Sequence, residues 1–203
     1  LMNMIISAVS QGLLWSILAL GLFVSFRILD LADMTTEGAF PLGAAVAVQA
    51  ITLGANPYIA IIFAIIAGSS AGLITGFLIT KLQIPSLLAG ILTMTGLYSI
   101  NLRVMGRANI SLLGKNTIFT VFENMNLPRH FDTITLGLLV VVMIIGLYVI
   151  FFKTEFGQAV IATGDNEAMA RSLGISTNTM KIVGLMISNG IVALAGSIIA
   201  QDN

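Results

Sequence analysis

Long apolar runs, separated by short polar stretches, dominate the pattern of this 203-residue chain. A bilayer core of about 30 Å needs about 20 predominantly apolar residues in one helix. Proline at position 57 suits the start of a helix, because proline lacks an N–H and the N–H groups of the first turn have no partner within the helix in any case. The pattern predicts an all-α, polytopic membrane protein with six spans, at about 4–26, 38–53, 57–80, 85–102, 133–152 and 180–200.

The second and fourth predicted spans are short, and polar residues interrupt them. Irregular backbone is tolerated within a membrane where it is buried in protein or lines a cavity. These two spans are therefore candidates for broken or tilted helices beside a cavity.

Small residues recur at intervals of four in two of the spans. The third span carries Ala64, Gly68, Gly72 and Gly76, and the second carries Ala39, Gly43 and Ala47. Such stripes let helix backbones approach closely, and packing rather than the hydrophobic effect drives helix association in lipid. The stripes indicate either tight packing within the chain, which we favour, or a dimer seam.

The composition agrees with a membrane protein. The chain is 57% hydrophobic and 9% charged, with a mean hydropathy of +1.02, whereas soluble domains carry about 25% charged residues. A net charge of zero gives no field that would attract nucleic acid. The chain has no cysteine and a single histidine, His130, in a polar loop, so we expect no disulfide and no metal site.

The basic residues give a weak indication of orientation. If the spans alternate, one side holds Arg27, Lys81, Lys153, Arg171 and Lys181, and the other holds Arg103, Arg107, Lys115 and Arg129. Positive charge is enriched in cytoplasmic loops. Five charges against four slightly favour a cytoplasmic position for the loops after the first, third and fifth spans.

A polar segment, residues 153–179, separates the last two spans. Its pattern predicts two short helices, the first over 155–163, with a break at Gly164. Asp165 or Asn166 can cap the second helix, and Glu167 in the first turn suits the helix dipole. Gly174 is well placed for the left-handed position that ends a helix.

The segment is either an ordinary polar connector or a docking element. A connector needs only a few residues, whereas this segment spends about 25 on capped helices. Its predicted apolar face, formed by Met169, Leu173 and Ile175, would suit a groove on another protein.

Three stretches, in order along the chain, carry a resemblance to one family. They are LDLADMTTEGAFPLGAAVA (29–47), GFLITKLQIPSLLAGILTMTGLY (76–98) and GDNEAMARSLGI (164–175). The chain resembles permeases of the branched-chain amino acid and ribose branch of ABC importers. The stretch LTMTGLYSINLRVMGRANISLLG (92–114) is most similar to the subgroup that works with aromatic-amino-acid-type binding proteins.

The resemblance implies one transmembrane permease domain over 1–203, which family members usually extend by two or more spans, so we expect the domain to be incomplete at its C-terminus. It also implies that 153–179 is a cytoplasmic segment that couples to an ATPase. The coupling residues would be Gly164, Asn166, Glu167, Ala170, Arg171, Gly174 and Ile175.

Cofactors and partners follow from the same resemblance. ATP and Mg²⁺ would bind the partner ATPase, and this chain would bind no cofactor. The other partners would be an extracytoplasmic binding protein, a second permease copy in a homodimer and the lipid bilayer. The location would be the plasma membrane of a prokaryote.

Polar residues near the spans are candidates for the translocation path. Asp30, Asp33 and Glu37 lie between the first two spans and indicate either a gate or an interfacial loop that caps the second helix. The fourth span carries Thr93, Thr95, Tyr98 and Asn101. These side chains either contact water and other helices or, for the threonines, bond to their own helix carbonyls.

Other functions fit the sequence less well. SLLGKNT (111–117) has Gly-Lys, but Asn116 stands where a phosphate-binding loop needs Ser or Thr, so we expect no ATP hydrolysis by this chain and no enzyme activity. An ion-coupled secondary transporter or channel would need acidic residues within the spans, and the 30–37 cluster is the nearest candidate. The sequence favours an importer permease for a small, amino-acid-like solute, with the ion-coupled transporter or channel as the alternative.

Overall fold

The computed structural model describes residues 2–23, 36–52, 57–105 and 131–202. Within these ranges every regular element is an α-helix, which confirms the predicted all-α class. The helices are α1 (Met2–Phe23), α2 (Thr36–Thr52), α3 (Pro57–Thr80), α4 (Ser86–Met105), α5 (Phe131–Lys153), α6 (Glu155–Asp165), α7 (Glu167–Ser172) and α8 (Thr177–Asp202). The six apolar runs correspond to α1 to α5 and α8, within a few residues at each end.

Length and apolar composition qualify fewer helices as membrane spans than the sequence predicts. In the described residues, α1, α3 and α8 each hold a stretch that could cross a bilayer, at Met4–Phe23, Ile59–Thr80 and Thr177–Ile198. The bent pair α5 and α6 would make a fourth. The apolar stretches of α2 and α4 are shorter. Each of these two helices is continuous, so neither is broken as the sequence had allowed.

Helix α8 lies at the centre of the bundle and packs against α1, α2 and α3. Its buried residues include polar ones, among them Ser188, Asn189 and Ser197. Ser188 Oγ donates a hydrogen bond to the carbonyl of Gly21 in α1, at 2.8 Å. Asn189 Nδ2 donates within its own helix to the carbonyl of Leu185, at 2.9 Å. Polar side chains are thus accommodated inside the bundle because backbone carbonyls accept their hydrogen bonds.

The small-residue stripes pack within the chain, as predicted. Three glycines of α3 lie so close to α8 that a Cβ atom placed on them would meet it at successive turns. The Cβ would meet Asn189 from Gly68, Leu185 from Gly72 and Ile182 from Gly76. Gly43 of α2 lies in the same way against the backbone of Ala193. The two helices flank α8 at backbone contact, which is possible only because these positions lack side chains.

Helix α5 packs against α1. Leu14 and Ile17 of α1 form a buried cluster with Val140 and Ile144 of α5, joined by two residues of α8. Tyr148 Oη donates to the carbonyl of Leu20, at 2.6 Å. The outer face of α5 is exposed, as expected for a helix at the periphery of a membrane protein.

Candidate functional site

The chain bends sharply where α5 meets α6, at an angle of 86°. Thr154 occupies the bend: its Oγ1 accepts from the N–H of Gly157 at 3.1 Å and donates to the carbonyl of Phe151 at 2.5 Å. Gln158 Nε2 donates to the carbonyl of Phe152, also at 2.5 Å. These side chains bond to carbonyls and an amide that helix ends leave free. The side chains of Thr154 and Gln158 therefore stabilise the bend.

Helix α6 lies across one end of the bundle. Val160 of α6 is buried in a cluster with Met180 and Leu185 of α8, and Ile79 near the end of α3 packs against that cluster. The end of α3 and the start of α8 therefore meet at the same end of the bundle as α6. This placement supports the predicted alternation, in which the connections after the third and fifth apolar runs share one side.

Asn166 forms the junction between α6 and α7. Its backbone is extended, and its N–H donates to the carbonyl of Ala162 at 3.0 Å, closing α6. Its Oδ1 accepts from the N–H of Met169 at 3.0 Å, capping α7. The prediction that Asp165 or Asn166 caps this helix is thus resolved in favour of Asn166.

The predicted break at Gly164 is wrong, because α6 continues through Gly164 to Asp165. A glycine costs a helix about 1 kcal/mol relative to alanine but leaves the backbone hydrogen bonds in place. The turn occurs only where Asn166 adopts an extended backbone and its side chain supplies a cap.

Gly174 ends α7 in the left-handed region, with φ of +90°, as predicted. Its N–H donates to the carbonyl of Arg171, and the N–H of Ile175 donates to the carbonyl of Ala170, both at 3.1 Å. This pair of bonds defines a Schellman motif. Ala170 is buried, and Ile175 packs against the cluster around Val160.

We expect Gly174→Ala to loosen the end of α7 by about 1 kcal/mol, because a Cβ disfavours the left-handed conformation. Gly174→Pro should loosen it further, since proline fixes φ near −65° and removes the N–H that bonds to Arg171. Limited tryptic cleavage after Arg171 follows the population of the open segment, so the alanine variant should be cut about fivefold faster.

Gly146→Ala in α5 is the matched control for this change, because a Cβ there meets nothing within 4 Å. Its cleavage rate should equal that of the unaltered chain. Equal cleavage rates for Gly174→Pro and the control would contradict the role of the left-handed turn.

Glu167 is the centre of the charged contacts in the segment. Its Oε1 lies 2.8 Å from Nη2 of Arg171 and 2.8 Å from Nζ of Lys181. Nη2 of Arg171 also donates to Oγ1 of the buried Thr177, at 3.4 Å. The spacing of Glu167 and Arg171 is the usual helical ion-pair spacing and could have been read from the sequence. Lys181, on another helix, carried no such signal.

These contacts lower the pKa of Glu167 below its ordinary value of 4.5. The hydrogen bond from Lys181 contributes most, partial burial opposes it, and the charges of Lys181 and Arg171 add to the lowering. A carboxylate whose pKa is lowered in the folded state stabilises the fold when the pH is above its ordinary pKa. This contribution is lost as the pH falls through the folded-state pKa. The contact is therefore intact at neutral pH.

The outer face of α7 carries two exposed apolar side chains, Met169 and Leu173, with 59% and 73% of their surfaces accessible. We call these two residues the apex patch. Ile175, predicted to share this face, instead packs inward, because the Schellman turn points it at the α6–α8 cluster. The predicted apolar face is thus narrower than the sequence indicated.

The candidate path residues separate into two faces of α4. Thr93 is buried: its Oγ1 accepts a hydrogen bond from Oγ1 of Thr75 in α3 at 3.0 Å and donates to the carbonyl of Ala89. Thr95 and Tyr98 lie on the exposed face, where Thr95 Oγ1 donates to the carbonyl of Ile91 at 2.8 Å. Both threonines thus bond to carbonyls of their own helix, and Thr93 in addition contacts another helix, so both predicted alternatives occur.

The remaining candidate path residues and His130 lie at or beyond the limits of the described residues. Asp30, Asp33 and His130 lie outside the described residues. For Glu37 in α2 and Asn101 in α4, the helix backbone alone is described.

The apolar helices, the central α8 and the bent, capped α6–α7 segment define a helical membrane protein with a projecting element at one end of its bundle. The sequence profile of the family described as the permease component of the branched-chain amino acid transport system matches residues 4–202. The chain belongs to this family, which confirms the resemblance carried by its three motifs.

Curated relatives are similar over most of the chain. A tyrosine transport system permease protein of Clostridioides difficile (strain R20291) is 42% identical over 200 residues, covering 98% of this chain. An uncharacterized protein of Rickettsia prowazekii (strain Madrid E) is 38% identical over 202 residues. The autoinducer 2 import system permease protein LsrC of Yersinia enterocolitica (serotype O:8 / biotype 1B, strain NCTC 13174 / 8081) is 31% identical over 155 residues, 76% of this chain.

These relatives are longer than the chain. It covers 65% of the tyrosine permease, 69% of the Rickettsia protein and 41% of LsrC. No solved structure matches the chain.

Proposed function

We propose that the chain is the transmembrane permease subunit of an ATP-driven importer. It passes a small solute from an extracytoplasmic binding protein to the cytoplasm, and a separate ATPase subunit binds ATP and Mg²⁺. The match to the permease family over residues 4–202 carries this proposal. The tyrosine permease at 42% identity supports an amino acid or a related compound as the solute.

The α6–α7 segment is the proposed coupling element. The 86° bend turns it across the end of the bundle, and the apex patch is exposed on the part of the chain that the structure describes. A short helix is marginal in water alone, but here Asn166 and the Schellman turn at Gly174 close both ends of α7. An apolar face held in this way suits a groove on the ATPase.

The proposed coupling residues then divide by role. Met169 and Leu173 would contact the ATPase, together with Arg171, whose side chain is 65% exposed. Asn166 and Gly174 would set the shape of α7. The remaining members of the set hold the segment against the bundle or connect it, namely Gly164, Glu167, Ala170 and Ile175.

The membrane arrangement is part of the same proposal. All six apolar helices would cross or enter the bilayer of a prokaryotic plasma membrane, with the α6–α7 segment in the cytoplasm. Two copies would form a homodimer, and the exposed face of α4 with Thr95 and Tyr98 would line the path between them. Asp30, Asp33, Glu37 and Asn101 remain candidates for that path, whereas Thr93 faces α3 and supports helix packing.

An ion-coupled transporter or channel is the alternative. Proton and cation relays in membranes use acidic side chains within the helices. The stretches 2–29, 38–122 and 133–154 contain no Asp or Glu, and neither does the stretch 168–201 that includes most of α8. This distribution favours an importer that takes its energy from a partner.

The test is uptake of labelled tyrosine by proteoliposomes that contain the complete permease. We expect uptake only with ATP, the ATPase that co-purifies with the permease and the binding protein. Leucine and ribose as competitors would report the solute class. Uptake driven by an ion gradient without ATP would favour the alternative, and the absence of any co-purifying ATPase would contradict the proposal.

A further inference from the structure

Glu167 connects the projecting helix α7 to the central helix α8. Both ion pairs among the described residues use its carboxylate, one to Arg171 within α7 and one to Lys181 in α8. The Lys181 side chain is only 16% exposed, so solvent screens this pair less than it would screen a surface pair. Thr177, buried at the start of α8, adds a contact to Arg171.

Helix α8 is in turn fixed to three other helices at backbone contact. The carbonyl of Leu185, one turn beyond Lys181, lies against Gly72 of α3. Ser188 donates to the carbonyl of Gly21 in α1, and Ala193 lies against Gly43 of α2. Close-packed interfaces have low compressibility and transmit displacement. A shift of the first turns of α8 would therefore reach α1, α2 and α3.

The other links between α7 and α8 constrain the orientation of α7 less strongly. The backbone continues through residues 173–176, where Gly174 makes the turn, and Ala170 is the buried residue of α7. Without the ion pair, α7 would be joined directly to α8 by this turn and by the long 3.4 Å hydrogen bond from Arg171 to Thr177, which would leave α7 more freedom to pivot. The Glu167–Lys181 contact spans the open side of the turn and removes that freedom.

We propose that the Glu167–Lys181 pair is a strut that makes α7 and the first turns of α8 one rigid unit. Through it, a displacement of the apex patch moves α8 and hence the bundle. Glu167 and Lys181 are positioning residues, which act through α8 rather than by contact with the ATPase. This inference rests on the proposed coupling function of the segment.

The test measures labelled tyrosine taken up per ATP hydrolysed by the complete transporter in proteoliposomes. Glu167→Gln and Lys181→Met each remove one charge of the pair and keep most of the side-chain volume. We expect each to lower the ratio about fivefold or more, the size of a coupling free energy of about 1 kcal/mol. The double variant Glu167→Lys with Lys181→Glu exchanges the two charges and so keeps one carboxylate and one ammonium group at this contact. It should restore much of the ratio.

Glu155→Gln is the matched control, because it removes the same charge from the first turn of α6, and both ion pairs among the described residues use Glu167 instead. Its ratio should equal that of the unaltered protein. An unchanged ratio in Glu167→Gln would overturn the strut. So would a charge exchange that restores nothing, because a docking residue would lose its ATPase contact irrespective of Lys181.

Failure of the proposed function has a different signature. The unaltered transporter would then show no ATP-dependent uptake at all, which would overturn both proposals. Normal uptake by the unaltered transporter with an unchanged ratio in the variants would overturn the strut alone.

Discussion

Replacing Gly43 by alanine should push α2 away from α8 and strongly destabilise the folded protein. The added Cβ would lie 2.6 Å from Cα of Ala193 and closer still to its carbonyl oxygen. These are backbone atoms, which cannot rotate away as a side chain would. Overpacking costs about 3 kcal/mol at the upper end of the usual range, which lowers the ratio of folded to unfolded protein by a factor of about 100.

Gly72→Ala should act in the same way on the other flank of α8, since its Cβ would lie 2.7 Å from the carbonyl carbon of Leu185 and 2.9 Å from Cα of Met186. The measurement is the yield of monodisperse protein in mild detergent and its Tm. Both variants should lose most of the yield.

Gly96→Ala in α4 and Gly146→Ala in α5 serve as controls, because nothing lies within 4 Å of either Cβ. Both should express and melt like the unaltered chain or slightly better, since alanine favours helix. If Gly43→Ala matched these controls, the central position of α8 between α2 and α3 would be wrong.

Replacing Met169 and Leu173 together by serine should release the ATPase without unfolding the permease. Neither side chain contributes to the described core, and both are more than half exposed. Burying each in a partner groove would contribute about 1.5 kcal/mol. Losing both should weaken ATPase binding by about 100-fold, which a titration of purified permease with the ATPase measures directly.

Ser172→Ala is the control, because Ser172 is an exposed residue of the same short helix and its hydroxyl bonds within α7 to the carbonyl of Met169. The control should bind the ATPase with nearly unchanged affinity. Full affinity in the Met169/Leu173 double variant would show that another surface carries the docking.

The glycine substitutions and the apex-patch substitutions distinguish the stability of the bundle from the binding of a partner. The glycine substitutions act inside the bundle, where α8 contacts its neighbours, and they should lower yield and Tm. The apex substitutions act on a surface that the described part of the chain leaves exposed, and they should change partner binding alone. The strut between Glu167 and Lys181 would connect these two regions.

The helices and several of their ends were predictable from the sequence alone, although the choice of Asn166 over Asp165 as the cap of α7 came from the structure. Proline at position 57 begins α3, Asn166 caps α7 and Gly174 ends it. Each of these features depends on backbone preferences and on bonds between residues a few positions apart, which the linear pattern contains. Gly164 was the local exception, because a helix tolerates a glycine when its hydrogen bonds persist.

Only the tertiary structure decided which helix is central and which polar groups meet. Nothing in the pattern distinguished α8, with its Ser188 and Asn189, from the other apolar runs. The sequence likewise gave no sign that Thr93 pairs with Thr75, that Lys181 reaches Glu167 or that Ile175 turns inward. These contacts join residues on different helices or across a turn, and their geometry exists only once the helices have packed.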